Sequence, residues 1–203
     1  MTTGPVPGTA GYADAAAAFT ERYERLSFDD VHRSVRHHLP PAPGRVLDIG
    51  AGTGRDAAAL AAMGYDVVAV EPTAAFRDQA AALHPSPRIR WLDDSLPDLR
   101  RVIDSGVAFD VVMLTAVWMH LDAAERARAM PIVAGLVRSG GVLVLTLRHG
   151  PVPPGRRMFA VSGDETAGLA EAAGLRLTLR LDDQPGATAR PDVTWTRLAF
   201  ARP

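Results

Sequence analysis

The stretch Val46-Leu47-Asp48-Ile49-Gly50-Ala51-Gly52-Thr53-Gly54-Arg55 constrains this chain more than any other. A short apolar run enters a glycine cluster and leaves into an alanine-rich helical pattern over 55–63. A largely apolar run of this length, bounded by glycine, is consistent with a strand buried on both faces. Glycines directly after such a strand permit positive φ and let a ligand lie against bare backbone. Asp48 falls at the strand's carboxyl end, where open α/β sheets bind their ligands. The dinucleotide fingerprint G-x-G-x-x-G is not matched, because Arg55 stands where its third glycine would be. Gly54, one position earlier, keeps a nucleotide-dependent oxidoreductase open as an alternative.

The rest of the chain repeats the alternation. A β-branched run over 66–70 precedes a helical pattern over 76–83, and an extended stretch follows at 89–92. Residues 109–114 read as a strand, 123–138 as a helix stopped by Gly140-Gly141, and 142–147 as another strand. Strands alternating with helices in this way predict a parallel sheet covered on both faces. The tail differs: a helix over 164–173 closed by Gly174, then two alternating strands over 175–181 and 194–201. Their Pro-, Gly- and Asp-rich linker over 182–192 predicts an antiparallel pair at the sheet edge. At the other end, 1–11 is Gly/Pro/Thr-rich and expected to be flexible. Residues 12–39 are helical in pattern, with a break where Ser27 caps a new first turn carrying Asp29 and Asp30. The prolines at 40, 41 and 43 stop that pattern. The expectation is one α/β domain spanning 1–203, Rossmann-like and doubly wound. Within it, 1–42 would be a start and helical lid, 43–147 the cofactor-binding core, and 148–203 an acceptor loop, helix and final strands.

Composition excludes several chemistries. The chain has 203 residues, no cysteine and no lysine, so every one of its 22 basic Lys/Arg positions is arginine. Disulfides, cysteine-ligated metal and thiol nucleophiles are therefore impossible, as are Schiff-base catalysis and a Walker lysine. A net charge of −1 argues against a surface built for a phosphate backbone, so no nucleic-acid partner is expected. The first twenty residues lack a basic, then apolar, leader, and no apolar run approaches the ~20 residues of a membrane span. A cytoplasmic protein with no membrane partner is expected.

Further acids fall at the ends of the following strands. The second strand ends Ala69-Val70-Glu71-Pro72, the third Leu92-Asp93-Asp94-Ser95, and the fourth leads into Thr115. This series, at this spacing, resembles the class I S-adenosylmethionine (SAM) dependent methyltransferases over about 43–147. The resemblance implies a seven-stranded sheet, mostly parallel with an antiparallel C-terminal strand, and N-terminal helices. It also implies SAM as cofactor and S-adenosylhomocysteine (SAH) as product. By analogy the loop of Gly50, Ala51, Gly52, Gly54 and Arg55 holds the methionine part, with Asp48 near its ammonium. Glu71 and the adjoining Pro72 take the ribose, Asp94 or Asp93 the adenine amino group, and Ser95 the adenine edge. Thr115 borders the methyl position.

Several branches of that family are excluded. The loop Thr115-Ala116-Val117-Trp118 lacks the Asn/Asp-Pro-Pro-aromatic motif of base and glutamine methylases. The missing cysteines exclude cytosine-carbon and radical chemistry. No acidic cluster follows the fourth strand, so no metal is expected. These exclusions leave methylation of O or N of a small metabolite as the leading function. A non-catalytic partner protein that keeps the fold is a further alternative, and a monomer or homodimer is expected.

Methyl transfer needs an aligned acceptor, and a base only if the acceptor arrives protonated. His120 and His149, at the carboxyl ends of the fourth and fifth strands, are the candidate bases; either could equally brace a loop. Trp118, beside His120, is a candidate acceptor contact. Arg148, Arg156 and Arg157 flank a Pro/Gly-rich loop and either clamp an anionic acceptor or form a solvated basic loop. Phe19 and Tyr23, with Tyr12 seven residues before Phe19, share one helix face, and His32 repeats the spacing after Phe28. These residues either line the acceptor pocket or simply pack.

Overall fold

A computed structural model describes residues 6–12, 16–188 and 190–203. The seven strands, β1 (Arg45–Ile49), β2 (Asp66–Val70), β3 (Ile89–Leu92), β4 (Phe109–Thr115), β5 (Val137–His149), β6 (Arg176–Pro185) and β7 (Thr194–Ala201), form one sheet. Its order is β3-β2-β1-β4-β5-β7-β6. Strands β1 to β5 pair in parallel, while β7 inserts antiparallel between β5 and β6. Only β7 runs against the rest. Helices α3 (Arg55–Ala62), α4 (Ala74–Leu83), α5 (Arg100–Asp104), α6 (Ala123–Leu136) and α7 (Gly163–Ala172) follow the strands. Two short helices, α1 (Ala16–Tyr23) and α2 (Phe28–His32), precede β1.

Strand alternation divides the core in two. In β4, Val111 and Met113 face a cluster with Val46, Leu60 and Phe28. Val112 and Leu114 face the other cluster, with Leu47, Met130 and Leu143. Both faces are buried, which accounts for the largely apolar runs. Helix starts follow their sequence signals. Ser27 and Asp30 form a reciprocal capping box on α2, and Asp122 and Glu125 form another on α6.

The chain order places the site. After β1 it winds toward β3, and then returns to β4 on the other side of β1. The loops after β1 and β4 therefore diverge, leaving a crevice at the carboxyl ends.

Several boundaries differ from the sequence expectation. Helix α6 ends at Leu136 rather than continuing to Arg138, because Val137 already pairs with Phe109 in the sheet. Gly140 and Gly141 stop no helix: they sit within β5 at a register shift, bonded to Arg202 of the final residues. Likewise β6 runs on to Pro185 past a shift between Leu181 and Gln184, where Asp183 takes a φ of 53°.

Trp118 corrects an expected acceptor contact. Its side chain is 0% exposed and belongs to the core cluster under α6, not to the crevice. Trp118→Ala is expected to cost about 3–5 kcal/mol of stability, read as a lower urea midpoint at unchanged slope.

Candidate functional site

The crevice deepens into a cavity of about 440 Å³ over the carboxyl ends of β1, β2, β4 and β5. Asp48, Gly50, Ala51, Gly52 and Arg55 line its floor, joined by Glu71, Pro72, Asp94, Ser95 and Thr115. The loop after β1 is shaped by positive φ at Gly50 (73°), Gly52 (55°) and Gly54 (86°). These glycines have different roles. A Cβ on Gly52 would meet nothing closer than 4.0 Å, so this backbone faces open cavity. A Cβ on Gly50 would come within 2.5 Å of the Val117 side chain, so that glycine allows the β1 and β4 loops to touch. Gly54 lies off the cavity, packed against Trp91 and His84 at the start of α3. That corrects the expectation of a ligand contact there.

The floor carries buried acids. Asp48 is 2% exposed, and its Oδ2 has no hydrogen-bond partner. Burial, and then the neighbouring Asp56 carboxylate, push its carboxyl well above its ordinary value. Burial also raises Glu71, against the lowering effect of backbone N–H groups: Thr73 donates to Oε1 (2.8 Å) and Gly52 to Oε2 (3.0 Å). Those bonds fix the Glu71 side chain beside the glycine loop. Asp94 is held by backbone N–H groups of Ser95 (2.9 Å) and Val102 (3.0 Å). Asp93 turns outward to pair with Arg77 at 3.1 Å and does not line the cavity. Of the two adjacent acids, Asp94 is the one at the site.

His32 is likewise displaced from its expected role. It is 0% exposed and bonds through Nε2 to Asp56 Oδ2 at 2.8 Å, and it is Asp56 and the neighbouring Val31, not His32, that line the cavity. Helix α2 is only one turn long and lays this histidine on α3 rather than on the ligand side. Burial opposes ionisation of Asp56, but His32 and Arg55 outweigh it and hold that carboxyl well below the usual range.

The roof comes from the two ends of the chain. Tyr12, Phe19 and Tyr23 line it as an aromatic series, with centroids 5.5 Å apart for Tyr12–Phe19 and 5.3 Å for Phe19–Tyr23. Residues 7–9, inside the stretch expected to be flexible, form a helical turn whose Gly8 lies near His120. His120 lines the cavity, and its ring is oriented from both sides. Nδ1 lies 2.8 Å from the Arg157 carbonyl oxygen, which can only accept, so Nδ1 carries the hydrogen. Nε2 is then the acceptor for the Tyr12 hydroxyl at 3.1 Å. Burial lowers the His120 pKa, with Arg156 and Arg157 adding to the effect against the Arg157 carbonyl bond. Burial and Tyr23 push Tyr12 up to about 12. The pair is therefore a neutral imidazole receiving a neutral phenol.

His149 does not reach the cavity. On β5, residues alternate between faces, and Arg148 takes the cavity side. His149 points to the opposite face and bonds Thr196 Oγ1 at 2.9 Å. Arg157 lines the cavity but is engaged by Glu125 (2.8 Å) and Asp122 (3.2 Å), which tie the loop before α7 to the start of α6. The sequence reading missed Phe76, Arg22, Trp195 and Arg197, all on the cavity wall. The alternation of β7 carried the signal for the last two, because Arg148 pairs with Trp195 and Thr146 with Arg197 on one face. Among the described residues no helix is long and apolar enough to cross a membrane.

Residues 47–145 match the family model described as a methyltransferase domain. An uncharacterised methyltransferase of Mycobacterium tuberculosis H37Rv is 39% identical over 108 residues, covering 53% of this chain and 41% of the relative. The matched stretch thus spans about two fifths of that relative's length. Among solved structures, a TehB-like SAM-dependent methyltransferase from Corynebacterium glutamicum superposes with a TM-score of 0.71 at 21% identity, covering 94% of this chain and 99% of its own. The 1,6-didemethyltoxoflavin-N1-methyltransferase of Burkholderia thailandensis superposes at 0.63 with 19% identity, covering 99% and 93%. The acid-and-glycine floor, the strand order and these matches agree: residues 47–145 form a methyltransferase domain, and the fold is that of the SAM-dependent methyltransferases.

Proposed function

We propose that this chain transfers a methyl group from SAM to an oxygen or nitrogen of a small molecule. The observation that carries the reading is the joining, in one cavity, of the Asp48–Gly52–Glu71–Asp94 floor to the Tyr12–His120 pair. The residues fit the cofactor: an unpartnered buried carboxylate at Asp48 suits an ammonium, and the fixed Glu71 suits two ribose hydroxyls. The open backbone at Gly52 leaves room for the amino-acid end, while Asp94 and Ser95 would meet the adenine. When bound, SAM supplies an electrophilic methyl group whose reactivity is intrinsic to its sulfonium.

The protein's part is to exclude water, align the acceptor and take a proton. His120 Nε2, neutral and oriented, accepts a proton passed through the Tyr12 hydroxyl as the acceptor's lone pair becomes available. Ala116 and Thr115 close the β4 side, where the Ala116 N–H is held by Thr146 Oγ1 at 2.9 Å. The described residues up to 42 serve as lid and those from 148 on as acceptor wall around the 43–147 core. A small acceptor suits a cavity of about 440 Å³ that both chain ends cover. The relative from B. thailandensis, whose structure holds a small heterocycle and SAH, supports the same class. The reading further takes the enzyme to be cytoplasmic, monomeric or homodimeric, without a nucleic-acid or membrane partner.

Calorimetric titration with SAH, with NAD as control, tests the cofactor. Micromolar one-to-one binding of SAH and none of NAD is the expected result. Binding of NAD instead would favour the oxidoreductase alternative, and binding of neither by folded protein would favour a partner protein that keeps only the fold.

A further inference from the structure

Charges of both signs line the cavity. The carboxylates Asp48, Glu71 and Asp94 lie at the ends of β1, β2 and β3, whereas Arg148 and Arg197 enter from β5 and β7. Unlike Arg157, neither Arg148 nor Arg197 forms an ion pair among the described residues. Arg148 donates from Nη1 to the Pro151 carbonyl oxygen at 3.0 Å, but its Nη2 is buried without a partner. Arg197 donates to Ser34 Oγ at 3.1 Å and to the Pro185 carbonyl oxygen at 3.4 Å, both neutral acceptors. Burial lowers the pKa of both arginines. A partly buried guanidinium with a donor left without a partner, as at Arg148 Nη2, is costly, and an incoming anion relieves that cost.

The sheet sets the spacing of the two groups. Arg148 opposes Trp195, and Arg197 opposes Thr146, so the arginines are diagonal neighbours on one face. Diagonal positions lie about 7–8 Å apart, within reach of two long side chains that converge on one anion. The facing wall is the Tyr12–Phe19–Tyr23 series. Arg156 is already stacked on it, 3.6 Å from the Tyr12 centroid and 4.5 Å from that of Phe19. A flat, anionic guest would slide between these walls.

We propose that the methyl acceptor is an aromatic carboxylate, its ring against the Tyr12–Phe19–Tyr23 wall and its carboxylate on Arg148 and Arg197. This rests on the methyltransferase reading of the site. The carboxylate of the cofactor's own amino-acid end is the other possible source of negative charge. The topology disfavours it: β5 is two strands and β7 three strands from β1. At about 4.8 Å per strand, that places the backbones of β5 and β7 roughly 10–14 Å from that of β1, which leads into the glycine loop.

The test loads the wild-type protein with SAH and titrates it with 4-hydroxybenzoate, 2-aminobenzoate and the methyl ester of each. The acids are expected to bind about tenfold or more tightly than their esters, as suits a hydrogen-bonded charge pair. Arg148→Gln and Arg197→Gln, checked for folding by circular dichroism, should each erode that preference and leave SAH affinity within about twofold. Equal affinity for acid and ester, no binding of either acid at millimolar concentration, or a preference that survives both substitutions would overturn the proposal. Loss of SAH affinity in the two variants would overturn it in another way, by assigning the arginines to the cofactor. Failure of SAH to bind the wild-type protein would remove the cofactor reading itself, and the proposal with it.

Discussion

Asp48→Asn is expected to weaken SAH and SAM binding by about 10²–10³-fold, the scale of breaking a buried charge pair. The same substitution should make the ligand-free protein more stable. In the free cavity, Asp48 is buried, its Oδ2 has no partner, and burial together with Asp56 holds its carboxyl well above 3.8. The folded state therefore keeps its proton at pH values where the unfolded chain has released it. Between those two pKa values the native protein binds more protons, so stability falls as pH rises through that window. Asparagine has no such proton to lose. Thermal melts of the two proteins should coincide below pH 3.8 and separate as pH rises, with the variant ahead by about 1–3 kcal/mol at neutral pH. Coincident melts at every pH would mean that water or an ion already compensates the carboxylate. A melt advantage combined with lost SAH binding would identify Asp48 as a group whose charge is kept for the ligand.

His120→Ala is expected to lower kcat by about 10²–10⁴-fold with little change in SAH affinity, as befits a general base. Tyr12→Phe should lower kcat less, because His120 Nε2 would remain free to reach the acceptor through water. Burial depresses the His120 pKa below its ordinary 6.5, so the base is already neutral at pH 7. The wild-type rate should consequently be flat through neutrality and fall only on the acid side, through a pKa below 6.5. An acid limb retained unchanged in His120→Ala would exclude this histidine from the proton path. A kcat unchanged in that variant would point to an acceptor that arrives already deprotonated.

The parts of the site that were legible in the sequence share one property: their placement depends on a strand's end rather than on a side chain's direction. Asp48 near the end of β1, Glu71 directly after β2 and Gly52 in the loop after β1 all lie where a parallel strand delivers its chain to the carboxyl edge. Helical spacing singles out Tyr12, Phe19 and Tyr23, although spacing alone favours packing over lining. The misses needed information on direction. His149 and Arg148 are adjacent, equally near a strand end, and opposite in aim. Trp118 and His120 sit in one 3₁₀ turn, yet only the second faces the cavity. Asp93 and Asp94 divide in the same way, one to Arg77 and one to the site. Arg197 was invisible because its relevance arises from pairing across 51 residues of chain, Thr146 against Arg197. Long-range register is a tertiary fact that local pattern does not carry.

That register also acts as a parity rule on how this protein can change. The cavity wall is every second residue of β5 and β7; of the residues that face away, Leu147 is buried in the core and His149 is bonded to Thr196. Deleting or inserting one residue between Gly141 and Thr146 would exchange the two sets, turning arginine out and histidine in. Changes of two residues would preserve the lining. Length variation along this segment in descendants of the chain should therefore come in even steps, or be absorbed at the irregular register near Gly140.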